Sequence, residues 1–205
     1  MKKLALATAT IAALALSASS SAKVTDSSPD FSFVEANYVK LDIDVPDLPV
    51  TMDADGIELN GSFELNESAF VTLNYSNPEL SEEFSGLGMD VYKVGLGARH
   101  SLSPRSALFG IVSYVRTEID EVETYNGFGL NAGVKSRISP EIELTGTLSY
   151  ADVDLEDEIG VDLGVDGVSG VFDLRYFFSN DLAVGVSYRL SEDTDALSVG
   201  ARYSF

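Results

Sequence analysis

The chain has no cysteine, one histidine and few basic residues, and it lacks any long apolar run beyond its first residues. Each absence excludes something. Without thiols there are no disulfides, so a small secreted scaffold held by bridges is ruled out and stability must come from packing and hydrogen bonding. The one histidine, His100, precedes the turn Ser103-Pro104-Arg105, and the nearby Ser101 and Ser103 have no evident orienting carboxylate. That leaves no nucleophile and base constellation of the usual kind. Carboxylates are plentiful but follow no spacing of an acid-pair hydrolase, so no enzymatic activity and no cofactor are expected. The 13 Lys and Arg face 33 Asp and Glu, a formal net charge of −20, which excludes nucleic acid as a partner. After residue 22 nothing approaches the roughly 18 consecutive apolar residues of a transmembrane helix. If the chain crosses a membrane, it does so as a closed barrel.

Lys2 and Lys3 precede an apolar run from Leu4 to Leu16 and the small residues Ser17 to Ala22. This reads as a cleaved signal peptide over 1–22, followed by a flexible amino-terminal segment, 23–30, and one domain, 31–205. Removing the two leader lysines leaves 11 basic residues against the 33 acids.

At the other end, Leu197, Val199, Ala201, Tyr203 and Phe205 alternate with Ser198, Gly200, Arg202 and Ser204. Successive strand side chains point to opposite faces, so one face of this segment is apolar and the other polar or small. In a bilayer that arrangement puts lipid outside and a polar lumen inside. Alternation of this kind gives ten candidate strands, at 31–43, 56–66, 69–77, 90–102, 106–118, 124–138, 141–153, 164–178, 182–191 and 195–205. Many match the roughly 9–11 residues of a tilted transmembrane strand.

The connections alternate. Even-numbered strands end in tight turns such as Asn66-Glu67-Ser68 and Ser139-Pro140. Odd-numbered strands end in longer or more acidic links. The segments 42–55, 77–90, 118–124, 152–166 and 191–195 hold 23 of the 33 acids and no Lys or Arg. A soluble sandwich has no reason to segregate charge by alternate connection. In membrane barrels short turns face one compartment and loops the other.

With the apolar face turned to lipid, the opposite face predicts a lumen charge network of Glu58, Glu64, Lys93, Arg99, Lys135, Arg137, Glu143, Asp173, Arg175, Arg189 and Arg202. Strands one and five show no clear phase. Glu35, Arg116 and Glu118 are assigned inward because a midplane charge facing lipid costs about 2–4 kcal/mol. Both signs occur in similar number, which favours a paired, plugged interior over an open pore. The acidic run Asp152, Asp154, Glu156, Asp157, Glu158 and Asp162 has oxygen ligands for weak divalent-cation binding, without the spacing of an EF-hand.

The alternating terminal strand with Tyr203 and Phe205, the run Tyr114-Val115-Arg116 and the turn Ser139-Pro140-Glu141 resemble the small OmpA-like and opacity-type outer-membrane β-barrels of Gram-negative bacteria. The resemblance covers 31–205. It implies an antiparallel up-and-down transmembrane barrel in the outer membrane, with Leu197, Val199, Ala201, Tyr203 and Phe205 as an assembly signal read by the insertion machinery. Two differences stand out: family members commonly have eight strands against the ten counted here, and no peptidoglycan-binding domain follows Phe205. The expected function is a monomeric, non-enzymatic barrel with a charge-filled lumen and acidic extracellular loops, serving envelope structure or surface interaction. Its partners are outer-membrane lipid and divalent cations at the loops. The alternative is a small cation-preferring, porin-like channel, because an acidic vestibule concentrates cations at the mouth.

Overall fold

The computed structural model describes residues 28–44, 51–80, 88–119, 124–153, 167–192 and 194–205. They form ten strands: β1 (Phe33–Asp44), β2 (Thr51–Asn66), β3 (Ala69–Leu80), β4 (Met89–Ser103), β5 (Ser106–Ile119), β6 (Thr124–Arg137), β7 (Ile142–Val153), β8 (Gly167–Phe177), β9 (Leu182–Leu190) and β10 (Thr194–Ser204). Every neighbouring pair is antiparallel, and β1 pairs with β10 from Phe33↔Ser204 to Ile43↔Thr194, which closes the barrel. Closure leaves no edge with unpaired backbone groups, the condition for spanning lipid with strands. Among the described residues no helix is long and apolar enough to cross a membrane.

The strand count follows the period-2 reading, with the loop ends of β2 and β3 extended, β3 to Leu80 rather than residue 77. Strand β2 starts at Thr51 rather than at residue 56, because Met52 and Ala54 continue the inner face while Asp53 and Asp55 continue the outer one. The four tight turns and both ends of the described chain lie at one end of the barrel, the turn end. The five other links, longer or more acidic, join the strands at the opposite end, the loop end.

The wall changes polarity along its length. A tyrosine sits on the outer face of each odd strand near the loop end: Tyr38, Tyr75, Tyr114, Tyr150 and Tyr188. Four of them donate hydrogen bonds, Tyr75 to Asp90 (2.7 Å), Tyr188 to Asp195 (2.9 Å), Tyr150 to Asp152 (3.3 Å) and Tyr114 to Asn126, while Tyr38 lies beside Asp55. From this ring to the turns the outer strand faces carry no Asp, Glu, Lys or Arg among the described residues, and expose side chains such as Leu96, Val112, Leu148 and Phe172. An uncharged band bounded by phenols is the profile of a lipid-facing wall with an interfacial aromatic girdle.

Beyond the ring the pattern inverts. Lys40, Asp42, Asp53, Arg116 and Glu118 point outward, while Val39, Leu41, Ile43, Ala54 and Ala196 form one buried apolar cluster inside and Met89, Val91, Val115, Ile119 and Val153 another. There the outside is wet, so the interior holds the apolar core, as in a water-soluble barrel.

This inversion corrects the assignment of Arg116 and Glu118. Both lie on the outer face of β5, where Nη2 of Arg116 is 2.7 Å from Oε1 of Glu118, two and four residues beyond Tyr114 on the loop side. They clear the hydrocarbon band, so the midplane penalty behind the inward assignment does not act on them. The inner positions of that stretch go instead to Val115, Thr117 and Ile119.

Candidate functional site: the lumen

The inward charges of the described strands are seven cations (Lys93, Arg99, Lys135, Arg137, Arg175, Arg189 and Arg202) and five carboxylates (Glu35, Glu58, Glu64, Glu143 and Asp173). The balance is positive, the reverse of the chain as a whole. These groups divide into a plug near the turn end and a looser layer above it.

In the plug, charges alternate across the barrel. Arg137 donates through Nε to Oε2 of Glu143 at 3.2 Å, and Arg202 donates through Nη1 to Oε1 of the same carboxylate at 3.2 Å. Arg202 also donates through Nε to Oε2 of Glu35 at 2.6 Å. Arg175 takes Glu35 with two prongs, Nε to Oε2 and Nη2 to Oε1, each at 2.9 Å, and reaches Asp173 at 3.4 Å. Asn37 adds a 3.0 Å hydrogen bond to Oε1 of Glu35. Five strands are tied together by this chain of charges, whose two central carboxylates are buried: the side chain of Glu143 is 0% exposed and that of Glu35 6%. Each carboxylate meets at least two cationic or amide donors, so removing either would strand buried guanidinium groups.

Aromatic rings close the remaining space. Residues 28–32 precede β1 at the turn end, and Phe31 packs there against Phe70 (4.9 Å between centroids) and Phe109 (6.0 Å). The segment is held by Ser62, whose hydroxyl donates to the Phe31 carbonyl at 2.6 Å, and by Lys135, whose ammonium donates to the Asp30 carbonyl at 2.8 Å. The Lys135 ammonium also lies 4.3 Å from the Phe31 ring centre. The guanidinium of Arg202 stacks 3.6 Å from Phe33 and that of Arg137 3.5 Å from Phe177. Cations over aromatic faces keep part of their electrostatic stabilisation while shedding water.

Glycine makes this filling fit. Phe70 pairs across strands with Gly97, Phe109 with Gly133, Arg175 with Gly185 and Asn37 with Gly200. A Cβ at Gly133 would come within 2.6 Å of the Phe109 ring, and one at Gly185 within 2.8 Å of Arg175 Cγ. The inward aromatics Phe31, Phe70, Phe109 and Phe177 do not stand out by alternation alone. For Phe70, Phe109 and Phe177 the legible sign is the glycine or alanine facing them in the register, as in Phe177↔Ala183; Phe31 precedes β1 and has no such partner.

The remaining residues read from sequence fall into place around the plug. Arg99 joins Glu64 at 2.6 Å and the Glu67 carbonyl at 2.9 Å, at the turn end. Lys93, Glu58 and Arg189 line the upper part of a cavity of about 270 Å³ that reaches down to the plug residues Glu35, Lys135, Arg175 and Arg202, and Arg189 comes no closer than 3.8 Å to Glu58. Leu197, Val199, Ala201, Tyr203 and Phe205 lie on the outer face of β10 and its end; the Phe205 ring is 5.5 Å from Phe63 and 6.3 Å from Tyr203. Of the acidic run, Asp152 points outward beside Tyr150, and Asp154, Glu156, Asp157, Glu158 and Asp162 lie outside the described residues. Among the described residues, no group of three or more His, Cys, Asp or Glu is placed to hold a metal ion.

Comparison with known proteins sets this barrel among others. The chain is similar in structure to the KdgM porin (10% identity, 84% of this chain and 99% of that one, TM-score 0.46). It is also similar to Ail, the attachment invasion locus protein of Yersinia pestis (14%, 84% and 97%, 0.42), and to the outer membrane protein OprG of Pseudomonas aeruginosa (8%, 88% and 99%, 0.45). No curated protein matches it by sequence. The family described as the outer membrane protein beta-barrel domain matches residues 8–205, nearly the whole chain, and the protein belongs to that family of outer-membrane barrels.

Proposed function

We propose that the protein is a closed, non-conducting barrel that contributes to envelope structure and presents an anionic rim to the exterior. The observation that carries this reading is the cross-lumen chain Arg137–Glu143–Arg202–Glu35–Arg175, seated beside the Phe31, Phe70 and Phe109 cluster. A path for hydrated ions would have to break charge-assisted hydrogen bonds on several strands at once. The turn end then faces the periplasm and the loop end the exterior. The reading includes export through the leader at 1–22 and insertion guided by the apolar outer face of β10, with lipid as the main partner and a monomeric state.

Planar-bilayer conductance of the refolded protein tests this, with insertion established first by heat-modifiable gel mobility. Correct insertion without conductance steps is expected. Stable, cation-selective steps from the unmodified protein would overturn the closed reading in favour of a small channel.

A further inference from the structure

Above the plug, the lumen holds cationic donors that meet few acceptors among the described residues. Arg99, Lys135, Arg137, Arg175 and Arg202 each donate at least one hydrogen bond to a carboxylate or a carbonyl. Among the described residues, Lys93 forms no hydrogen bond and no ion pair. Arg189 forms no hydrogen bond, and its one ion pair, to Glu58, is long at 3.8 Å. Glu58 is already engaged, accepting a 2.7 Å hydrogen bond from Asn60, which in turn accepts one from Asn74 at 2.7 Å. An ammonium carries three donors and a guanidinium five. Here they face a space of about 270 Å³ that Asn131, Ser149 and Ser187 also line.

A second, smaller cavity of about 90 Å³ shares Lys93, Arg189, Asn131 and Ser149 with the first and continues along β7, β8 and β9 past Gly167, Ser169 and Ser191. Those small residues lie at the loop end of their strands, whereas the two apolar clusters occupy the walls of β1, β2 and β10 and of β4, β5 and β7. Cations with unspent donors, among described strands whose inward charge is positive, offer an oxyanion charge-assisted hydrogen bonds that the described residues do not satisfy.

We infer that this layer is a binding site for a small oxyanion solute, a carboxylate or phosphate compound entering from the loop end and held between Lys93 and Arg189. Among the described residues Glu58 is the carboxylate paired with this layer, and it orients Arg189. The inference concerns the space above the plug, so it stands or falls separately from the conductance result.

The test is an NMR titration of the refolded protein in micelles with inorganic phosphate, and separately with malonate, at constant ionic strength held by chloride. Saturable shifts of the Asn131, Ser149 and Ser187 resonances are expected with at least one anion; whichever anion saturates identifies the class. Lys93→Met keeps the apolar stem and removes the charge, and it should weaken binding about tenfold or more, as should Arg189→Gln. Lys40→Met, at the outer rim, should leave binding unchanged. Absence of saturable shifts with both anions, or unchanged binding in a correctly inserted Lys93→Met or Arg189→Gln protein, would overturn the inference.

Discussion

Single residues differ sharply in how much of the barrel depends on them. Glu35 receives Arg175 and Arg202 in a nearly dry setting, whereas Glu64 meets Arg99 with its side chain 30% exposed. Breaking a buried pair by removing one partner costs roughly 3–5 kcal/mol, while partly exposed pairs contribute about 0–1 kcal/mol. Glu35→Gln should therefore lower the urea midpoint of unfolding clearly and Glu64→Gln little; equal shifts would mean that the plug is not the stabilising unit. Phe31 sits inside the turn end, and Phe31→Ala removes the ring that Phe70, Phe109 and Lys135 all approach. The expected outcome in the planar bilayer is brief, small conductance steps absent from the parent.

At the scale of the strand, the change of polarity at the tyrosine ring decides which side chains meet lipid. The chain has no tryptophan, so single introduced indoles report depth without background. Along β5, Val112→Trp should be quenched most by lipids brominated deep in the acyl chain, Tyr114→Trp by shallow bromines, and Arg116→Trp by neither. Deep quenching at position 116 would contradict the outer boundary drawn here. The same inversion explains what was legible in the sequence. Strands four, six, seven and nine keep one phase through the bilayer, and their inner residues could be read by counting twos. In β1 and β5 the inner face passes from Glu35 to Leu41, or from Ser113 to Ile119, while the outer face passes from Val34 to Asp42, or from Val112 to Glu118. Apolar residues then occupy both faces in turn, and alternation loses its reference. The partners of Glu35 were illegible for another reason: Arg175 and Arg202 lie 140 and 167 positions away, and only barrel closure brings them near.

For the whole molecule, charge is sorted by compartment: the links at the loop end are rich in acids, and among the described residues the lipid band carries no charge and the inward strand faces are positive overall. If a wider path were forced through the plug, the acidic rim would attract cations while the lumen would favour anions. Replacing Arg175 and Arg202 by glutamine together should open that path by leaving Glu35 without its cationic partners, and should turn its selectivity towards cations as two positive charges are lost. Reversal-potential measurements in a salt gradient check the sign.

The seam between β1 and β10 runs in unbroken register from Phe33↔Ser204 to Ile43↔Thr194, and the Phe205 amide donates to the Ser32 carbonyl at 3.1 Å. The first and last strands are thus neighbours in space, and the ring of strands has no topological starting point. A circular permutant, with the old ends joined by a short linker and new ones cut in an outer loop, should reach the same native architecture. Its β10 would then precede other strands of the barrel, so the yield of such a permutant in living cells separates recognition of that strand's residues from recognition of its place as the last strand.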